Sequence, residues 1–155
     1  MNISDILKPD CVSCAVSSPS KKRALEQLSN LIIDDNPELT GGEIFESLIS
    51  REKLGSTGIG HGVAIPHGRV HTDGKSIGAF IQLSNDIDYD SIDSKPVDLM
   101  FGLLVPEHST DEHLQILSTL AQMFSDEPFC EKLRSAENPE VLYSLLTQWS
   151  SSTTE

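Results

Sequence analysis

The sequence predicts an α/β fold in which a β-sheet is covered by helices. Short, continuous apolar runs, which are typical of buried strands, alternate with longer segments whose apolar residues recur at helical spacing. Small polar residues stand where several of the longer segments begin, as helix N-caps do. The length of 155 residues suits one domain, which we place at residues 1–150, followed by a flexible tail at residues 151–155.

The N-terminal part is predicted to contain a strand between two helical segments. Residues 3–7 are expected to form a short helical turn that ends at Pro9, and residues 11–17 a strand. From Lys21 to Asn36 the apolar residues occupy one helical face, which predicts a long amphipathic helix. These residues are Ala24, Leu25, Leu28, Leu31 and Ile32.

A second long helix is predicted between Thr40 and Gly55. Thr40 and Glu43 have the spacing of a capping box at the start of a helix. Gly55 is the residue type that most often follows the end of a helix. The apolar residues between them predict a buried face made of Ile44, Phe45, Leu48 and Ile49.

The C-terminal half is predicted to add two buried strands and three helices. The strands occupy residues 76–83 and 96–105, and they flank an acidic loop. The helix starts are Ser109 with Glu112, Asp126 with Pro128, and Asn138 with Pro139. The first of these helices has an apolar stripe made of Leu114, Leu117, Leu120, Ala121 and Phe124.

The composition argues against several classes of partner. A formal net charge of −13 repels phosphate backbones and anionic lipid, so we expect neither nucleic acid nor a membrane as a partner. No apolar run approaches the roughly 20 residues that span a bilayer, and the N-terminus lacks a secretory signal, so we expect a cytoplasmic protein. Cys11 and Cys14 form a C-x-x-C motif, but they lie in a predicted strand and should face opposite sides.

Residues 55–71, GSTGIGHGVAIPHGRVH, combine five of the chain's ten glycines with three of its five histidines. The glycine spacing matches neither of the phosphate-binding signatures of nucleotide-binding proteins. His61, His67 and His71 are suitable ligand types for zinc, but their spacing is not that of a zinc site. We expect neither a nucleotide nor a metal here, and we expect the glycines to open an approach to one imidazole.

Phosphoryl chemistry on a histidine is the remaining hypothesis for this segment. His67 follows an apolar run at a point where a strand end exposes a side chain, and a neutral imidazole nitrogen there is a nucleophile. Ser56 and Thr57 offer donors for the phosphoryl oxygens, and Arg51 offers a cation. His113 stands near a helix start, which favours a neutral imidazole that donates one hydrogen bond.

Each of these residues also has an ordinary explanation. Arg51 complements the negative end of a helix dipole, His113 is a solvated first-turn residue, and His67 is a surface-loop histidine. Residue types and spacing leave both interpretations open.

Residues 48–70, LISREKLGSTGIGHGVAIPHGRV, closely resemble the active-site signature of enzyme IIA domains of the fructose–mannitol class in the bacterial phosphotransferase system. Residues 96–106, PVDLMFGLLVP, and residues 113–121, HLQILSTLA, resemble the second block of the same family. The resemblance covers nearly the whole chain. The sequences REKLGSTGIG and IPHGR favour the nitrogen-related branch of the family.

This resemblance implies a mixed central β-sheet with helices packed on both faces. It implies that His67 receives a phosphoryl group on Nε2 from a phosphorylated histidine of a small HPr-like carrier, NPr in the nitrogen branch. Arg51 and His113 match family residues that neutralise and hydrogen-bond that group. Potassium-transport proteins and sensor kinases are the regulated partners that the resemblance suggests, and no cofactor is implied. The motif assigns no role to His61, His71 or His108.

Two other functions remain open at this point. The chain is a sugar-specific enzyme IIA if it passes its phosphoryl group to a IIB partner. It is a non-catalytic interaction module if phosphorylation is vestigial, although the joint presence of Arg51, His67 and His113 argues against that loss.

Overall fold

The computed structural model describes residues 3–37, 39–71, 75–108 and 111–149. The strands in these ranges are β1 (Leu7–Val16), β2 (Gly58–Gly60), β3 (Val63–Ala64), β4 (His67–Val70), β5 (Ile77–Ile87) and β6 (Val97–Pro106). The helices are α1 (Ile3–Ile6), α2 (Lys21–Asp35), α3 (Gly41–Leu54), α4 (Asp111–Phe124), α5 (Glu127–Ser135) and α6 (Pro139–Gln148). No helix in the described ranges is long and apolar enough to cross a membrane.

The strands form one mixed sheet, which confirms the predicted fold class. The order is β1-β5-β6-β3-β2, and β4 also pairs with β6. β5 and β6 are antiparallel to each other, whereas β1 is parallel to β5, and β3 and β4 are parallel to β6. β6 is therefore central, and its flanking strands on one side are short pieces of the segment that contains His67.

Helices cover both faces of the sheet. Cys11 and Cys14 lie three residues apart in β1, so their side chains point to opposite faces, as predicted. The Cys11 thiol contacts the Leu31 carbonyl in α2 at 3.6 Å, whereas the Cys14 thiol contacts the Ala136 carbonyl, just after α5, at 3.7 Å. α2 therefore covers one face and the end of α5 covers the other, and the two thiols do not form a redox pair.

The aromatic residues of the core fix the position of α4. Phe80 in β5 and Phe101 in β6 are register partners, and the ring of Phe124 in α4 lies 6.2 Å from each of theirs. The neighbouring Gly102 faces the other way, towards Leu28 of α2. α4 thus shares a face with α5, and α2 packs beside α3 on the opposite face.

Side-chain caps begin the helices where the sequence predicts them. The side-chain oxygens of Thr40, Asp126 and Asn138 accept hydrogen bonds from the backbone N–H three residues later, at 3.2, 3.2 and 2.9 Å. Ser20 caps α2 in the same way, in addition to the predicted caps. The predicted cap at Ser109 and the predicted tail at residues 151–155 lie outside the described residues.

Two local predictions are wrong. Pro9 does not end a helical turn but lies inside β1, which begins at Leu7. A proline is tolerated there because β1 is an edge strand, so one side of it needs no ladder hydrogen bonds. Ala121 belongs to the predicted apolar stripe of α4, but it is exposed and lines a surface cavity instead of packing in the core.

An interrupted strand carries His67. β3 pairs with the start of β6 and β4 with its end, and the interruption between them falls at Ile65 and Pro66. Proline has no N–H to donate to a ladder, although the Pro66 carbonyl still accepts a hydrogen bond from Leu103 N–H at 2.9 Å. Pairing resumes at His67, which is therefore the first residue of β4.

Two glycines of this segment make room for other parts of the chain, a packing role that the sequence did not predict. A Cβ atom on Gly68 would lie 2.1 Å from Ser47 Oγ and 3.0 Å from the Ser47 carbonyl carbon in α3. A Cβ on Gly58 would lie 2.2 Å from Ser91 Oγ. Gly68 therefore sets the distance between α3 and the strand that carries His67, whereas Gly58 lets Ser91 approach β2.

Replacing Gly68 by Ala should therefore push α3 away from β4. We expect the Gly68→Ala substitution to lower the free energy of unfolding by ~1–3 kcal/mol, the usual cost of overpacking. Gly42 in α3 is the matched control, because a Cβ there would meet no atom within 4 Å. Gly42→Ala should leave stability unchanged or raise it by up to ~1 kcal/mol. Denaturant unfolding of both variants measures this, and a Gly68→Ala chain as stable as the parent contradicts the close packing.

Candidate functional site

The imidazole of His67 is held by one backbone hydrogen bond. Its Nδ1 lies 2.8 Å from the Ile65 carbonyl oxygen. A carbonyl only accepts hydrogen bonds, so Nδ1 carries the proton and Nε2 of the neutral ring keeps a free lone pair. The Ile65 carbonyl thus selects which nitrogen of the neutral ring is left free to react.

The surroundings of His67 favour its neutral form. The side chain is half-buried, and this burial lowers its pKa below the ordinary value of 6.5. The Arg51 guanidinium lowers the pKa further, whereas the Ile65 carbonyl and Glu52 act in the opposite direction. The net shift is downward, so the ring is an unprotonated nucleophile at neutral pH.

Arg51 is the cation beside this imidazole. It lies in the last turn of α3, and its Nη1 donates a hydrogen bond to the Gly55 carbonyl at 2.8 Å. Among the residues that the structure describes, it forms no ion pair with a carboxylate. Its charge therefore remains available to an anion near His67, in addition to its contact at the helix end.

Two surface cavities meet at these residues. One has a volume of about 690 Å³ and the other about 350 Å³, and Arg51, His67 and Leu117 line both. Ser56 and Thr57 line the smaller one, so the structure brings four of the five predicted site residues to one cleft. We call this pair of cavities the His67 cleft.

The hydroxyl groups of Ser56 and Thr57 are engaged within the chain. Ser56 Oγ donates to the Tyr89 carbonyl at 3.0 Å and accepts from Gly58 N–H at 3.1 Å. Thr57 is buried, and its Oγ1 contacts both the Glu52 carboxylate and the Tyr89 hydroxyl. Their side chains join the cleft wall to the residues beneath it.

The fifth predicted residue, His113, is the third residue of α4. Its side chain lies outside the described part of the chain. Leu117, one helical turn later, lines both cavities, so α4 borders the His67 cleft.

Sequence reasoning missed Glu52, which lies beneath the cleft. Its side chain is 5% exposed, and its carboxylate accepts hydrogen bonds from Thr57 N–H at 3.1 Å and from the Tyr89 hydroxyl at 3.2 Å. Lys21 Nζ lies 3.0 Å from it. A signal was present, because Glu52 follows the buried Ile44 and Leu48 at helical spacing, and a carboxylate on a buried stripe needs partners.

The other histidines lie elsewhere. His61 Nδ1 is 3.3 Å from Glu127, and His71 Nε2 is 3.2 Å from Glu107. His108 is exposed. In the described ranges no three His, Cys, Asp or Glu side chains are grouped as a metal site would need.

Comparison with known proteins places this geometry in a family. Residues 5–149 match the family model described as "Phosphoenolpyruvate-dependent sugar phosphotransferase system, EIIA 2". The chain is 43% identical to a nitrogen regulatory protein of Escherichia coli K12 over 148 residues, which are 95% of this chain and 90% of that protein. It is 44% identical to a nitrogen regulatory protein of Pseudomonas aeruginosa over 146 residues, 94% of this chain and 95% of that protein.

A solved structure agrees with the sequence relatives. The nitrogen regulatory protein IIA-Ntr of Neisseria meningitidis superimposes with a TM-score of 0.87 at 42% identity, covering 94% of this chain and 99% of that one. The predicted resemblance is confirmed: the chain belongs to the type-2 EIIA family of the phosphoenolpyruvate-dependent phosphotransferase system, whose members carry phosphoryl groups, and within it to the nitrogen regulatory IIA proteins.

Proposed function

We propose that this chain carries a phosphoryl group on Nε2 of His67 and regulates partner proteins according to its phosphorylation state. The observation that carries the proposal is the hydrogen bond from Nδ1 to the Ile65 carbonyl, because it leaves Nε2 unprotonated at a cleft that Arg51 also lines. Membership of the EIIA family supports phosphoryl transfer with a phosphocarrier protein.

The chemical step is an in-line displacement at phosphorus. The Nε2 lone pair forms the new N–P bond while the bond between phosphorus and the donor's histidine nitrogen breaks, and that nitrogen keeps the electron pair. Positive charge develops on the His67 ring as Nε2 bonds to phosphorus. The Ile65 carbonyl stabilises that charge through the Nδ1 proton, much as a carboxylate orients a catalytic imidazole.

The phosphoryl group brings about two negative charges to an acidic protein. Arg51 is the residue that we assign to neutralise it, since its guanidinium is near the ring and pairs with no described carboxylate. His113 is assigned a hydrogen bond to the same group. Ser56 and Thr57 are assigned a supporting role in the cavity wall, where their hydroxyls anchor the segment that follows Arg51.

The surface around the cleft suits a protein donor. Leu54 is 84% and Ile92 is 79% exposed, and they line the two different cavities that meet at His67. Glu43 and Glu46 are exposed on the rim. An apolar surface with an acidic rim fits a small carrier with apolar and basic groups around its phosphohistidine. We therefore propose an HPr-like carrier, NPr, as the donor.

For the output, we propose regulatory partners of the nitrogen branch, with potassium-transport proteins and sensor kinases as the candidates. The names of the relatives support a regulatory role in nitrogen metabolism. A pull-down that compares the parent chain with the His67→Ala and His67→Glu variants tests which partners distinguish the two states.

The first prediction of the proposed function is that the chain becomes phosphorylated on His67. Incubation with a phosphorylated HPr-like carrier should label the parent chain with phosphate that is acid-labile and base-stable, as expected for a phosphohistidine. His67→Ala should abolish the label, and His61→Ala, which changes an exposed histidine outside the cleft, should retain it. Labelling of His67→Ala at the parent level means that the site assignment is wrong. Onward transfer to a IIB domain would instead indicate a sugar-specific enzyme.

The lowered pKa of His67 makes a second prediction. Because the folded state holds this pKa below 6.5, the ring should stay neutral as the pH falls to 6.5 and take up a proton only below it. The associated stability is present above pH 6.5 and is lost as the pH falls through the lowered pKa. NMR titration of the ring nitrogens measures the midpoint and shows which nitrogen is protonated. A midpoint at or above 6.5, or a proton on Nε2 in the neutral form, contradicts the geometry.

The exposed apolar residues make a third prediction. Leu54→Ser and Ile92→Ser should each raise the KM for the phosphorylated donor about fivefold, equivalent to ~1 kcal/mol of lost apolar contact, with kcat unchanged. Val141 is a matched control, because it is 43% exposed in α6, away from the α3 side of the sheet. Val141→Ser should leave KM unchanged. Equal KM values for all three variants and the parent would exclude this docking surface.

A further inference from the structure

We propose that Glu52 is a positioning residue for phosphoryl transfer: from beneath the His67 cleft, its carboxylate holds Thr57, and through Thr57 it holds both walls of the cleft in place. The inference rests on the proposed function, since it assigns a further residue to the same reaction.

The carboxylate of Glu52 is surrounded by donors. Thr57 contributes its backbone N–H and its hydroxyl, Tyr89 contributes its hydroxyl, and Lys21 contributes its ammonium. Tyr89 is completely buried, and the Lys21 ammonium lies 4.4 Å from the centre of its ring. Hydrogen bonds to an ionised group are about twice as strong as neutral ones, so this carboxylate holds its partners firmly.

A continuous chain of hydrogen bonds leads from Glu52 to the reacting imidazole. Thr57 donates to Glu52 through its N–H, and its carbonyl accepts from Ile65 N–H at 3.0 Å. The Ile65 carbonyl in turn accepts the His67 Nδ1 proton at 2.8 Å. Glu52 therefore acts on the carbonyl that selects the tautomer and the direction of the His67 ring.

Glu52 also affects the position of Arg51, on the other wall of the cleft. Thr57 is two residues after Gly55, whose carbonyl accepts the Arg51 guanidinium at 2.8 Å. Because Thr57 is held in place, the Gly55 carbonyl can move little, and neither can the Arg51 guanidinium that donates to it. Adjacent helical residues point in different directions, so Arg51 faces the cleft while Glu52 faces the interior.

The Lys21 ion pair with Glu52 keeps the neighbouring charges of Arg51 and Glu52 from pairing with each other. Because Lys21 supplies the cation that pairs with Glu52, the Arg51 guanidinium is left to interact with the phosphoryl group. Lys21 is the first residue of α2, where a cation opposes the helix dipole. The pair with Glu52 offsets that unfavourable placement.

The test uses Glu52→Gln, which keeps the shape of the side chain and removes its charge. We expect the transfer rate constant at saturating donor to fall about tenfold, because small displacements of reacting groups slow catalysis strongly, while KM for the donor stays unchanged. We also expect the His67 titration midpoint to move further down, since Glu52 raises it in the parent. Glu140→Gln, which removes one charge from the exposed first turn of α6, is the control and should match the parent in all three measurements.

A second variant keeps the test decisive if Glu52→Gln does not fold. Tyr89→Phe removes one donor from Glu52 and retains the buried ring, and it should lower the same rate constant about threefold with KM unchanged. If Glu52→Gln or Tyr89→Phe folds and its rate constant equals that of the parent, the inference is wrong. The proposed function is tested separately. It is wrong if the parent chain is not labelled with phosphate or if His67→Ala is labelled as well as the parent.

Discussion

The site depends on one hydrogen bond, from Nδ1 of His67 to the carbonyl of Ile65. Successive carbonyls of a strand point to alternate sides, and the Pro66 carbonyl accepts a hydrogen bond from Leu103 N–H in β6 at 2.9 Å. The Ile65 carbonyl therefore points away from β6 and accepts the Nδ1 proton of His67 instead. This bond sets the tautomer of the neutral ring and leaves Nε2 as the nitrogen that can react.

The segment that carries His67 is packed on two sides. α3 approaches β4 closely because Gly68 has no side chain, and the Ser47 hydroxyl donates to the Arg69 carbonyl at 2.9 Å. On the central side, β4 is paired with the end of β6, which lies in the buried core. The segment that carries His67 is therefore held between a helix and the central strand.

The sequence predicted the parts of the site whose positions follow from local rules. His67 follows an apolar run and a proline, and Arg51 lies in the last turn of a helix with a recognisable cap at Thr40, so both were identified. Glu52 was not, because its partners come from distant segments: Lys21 from the start of α2 and Tyr89 from a loop that was noted only for its acidic residues. The packing role of Gly68 and Gly58 was not predicted for the same reason. Nothing in the local pattern shows that Ser47 and Ser91 occupy the space beside Gly68 and Gly58.

Charge explains why a site of so few residues suits a regulator. With a net charge of −13 the protein has little positive potential, and Arg51 and Arg69 line the His67 cleft together with three glutamates. On the proposed function, a phosphoryl group on His67 would add about two negative charges beside Arg51. Leu54 and Ile92 stand exposed at the same place, so a partner that covers them would also contact that group. The phosphorylation state would then alter binding through electrostatics at the contact surface itself.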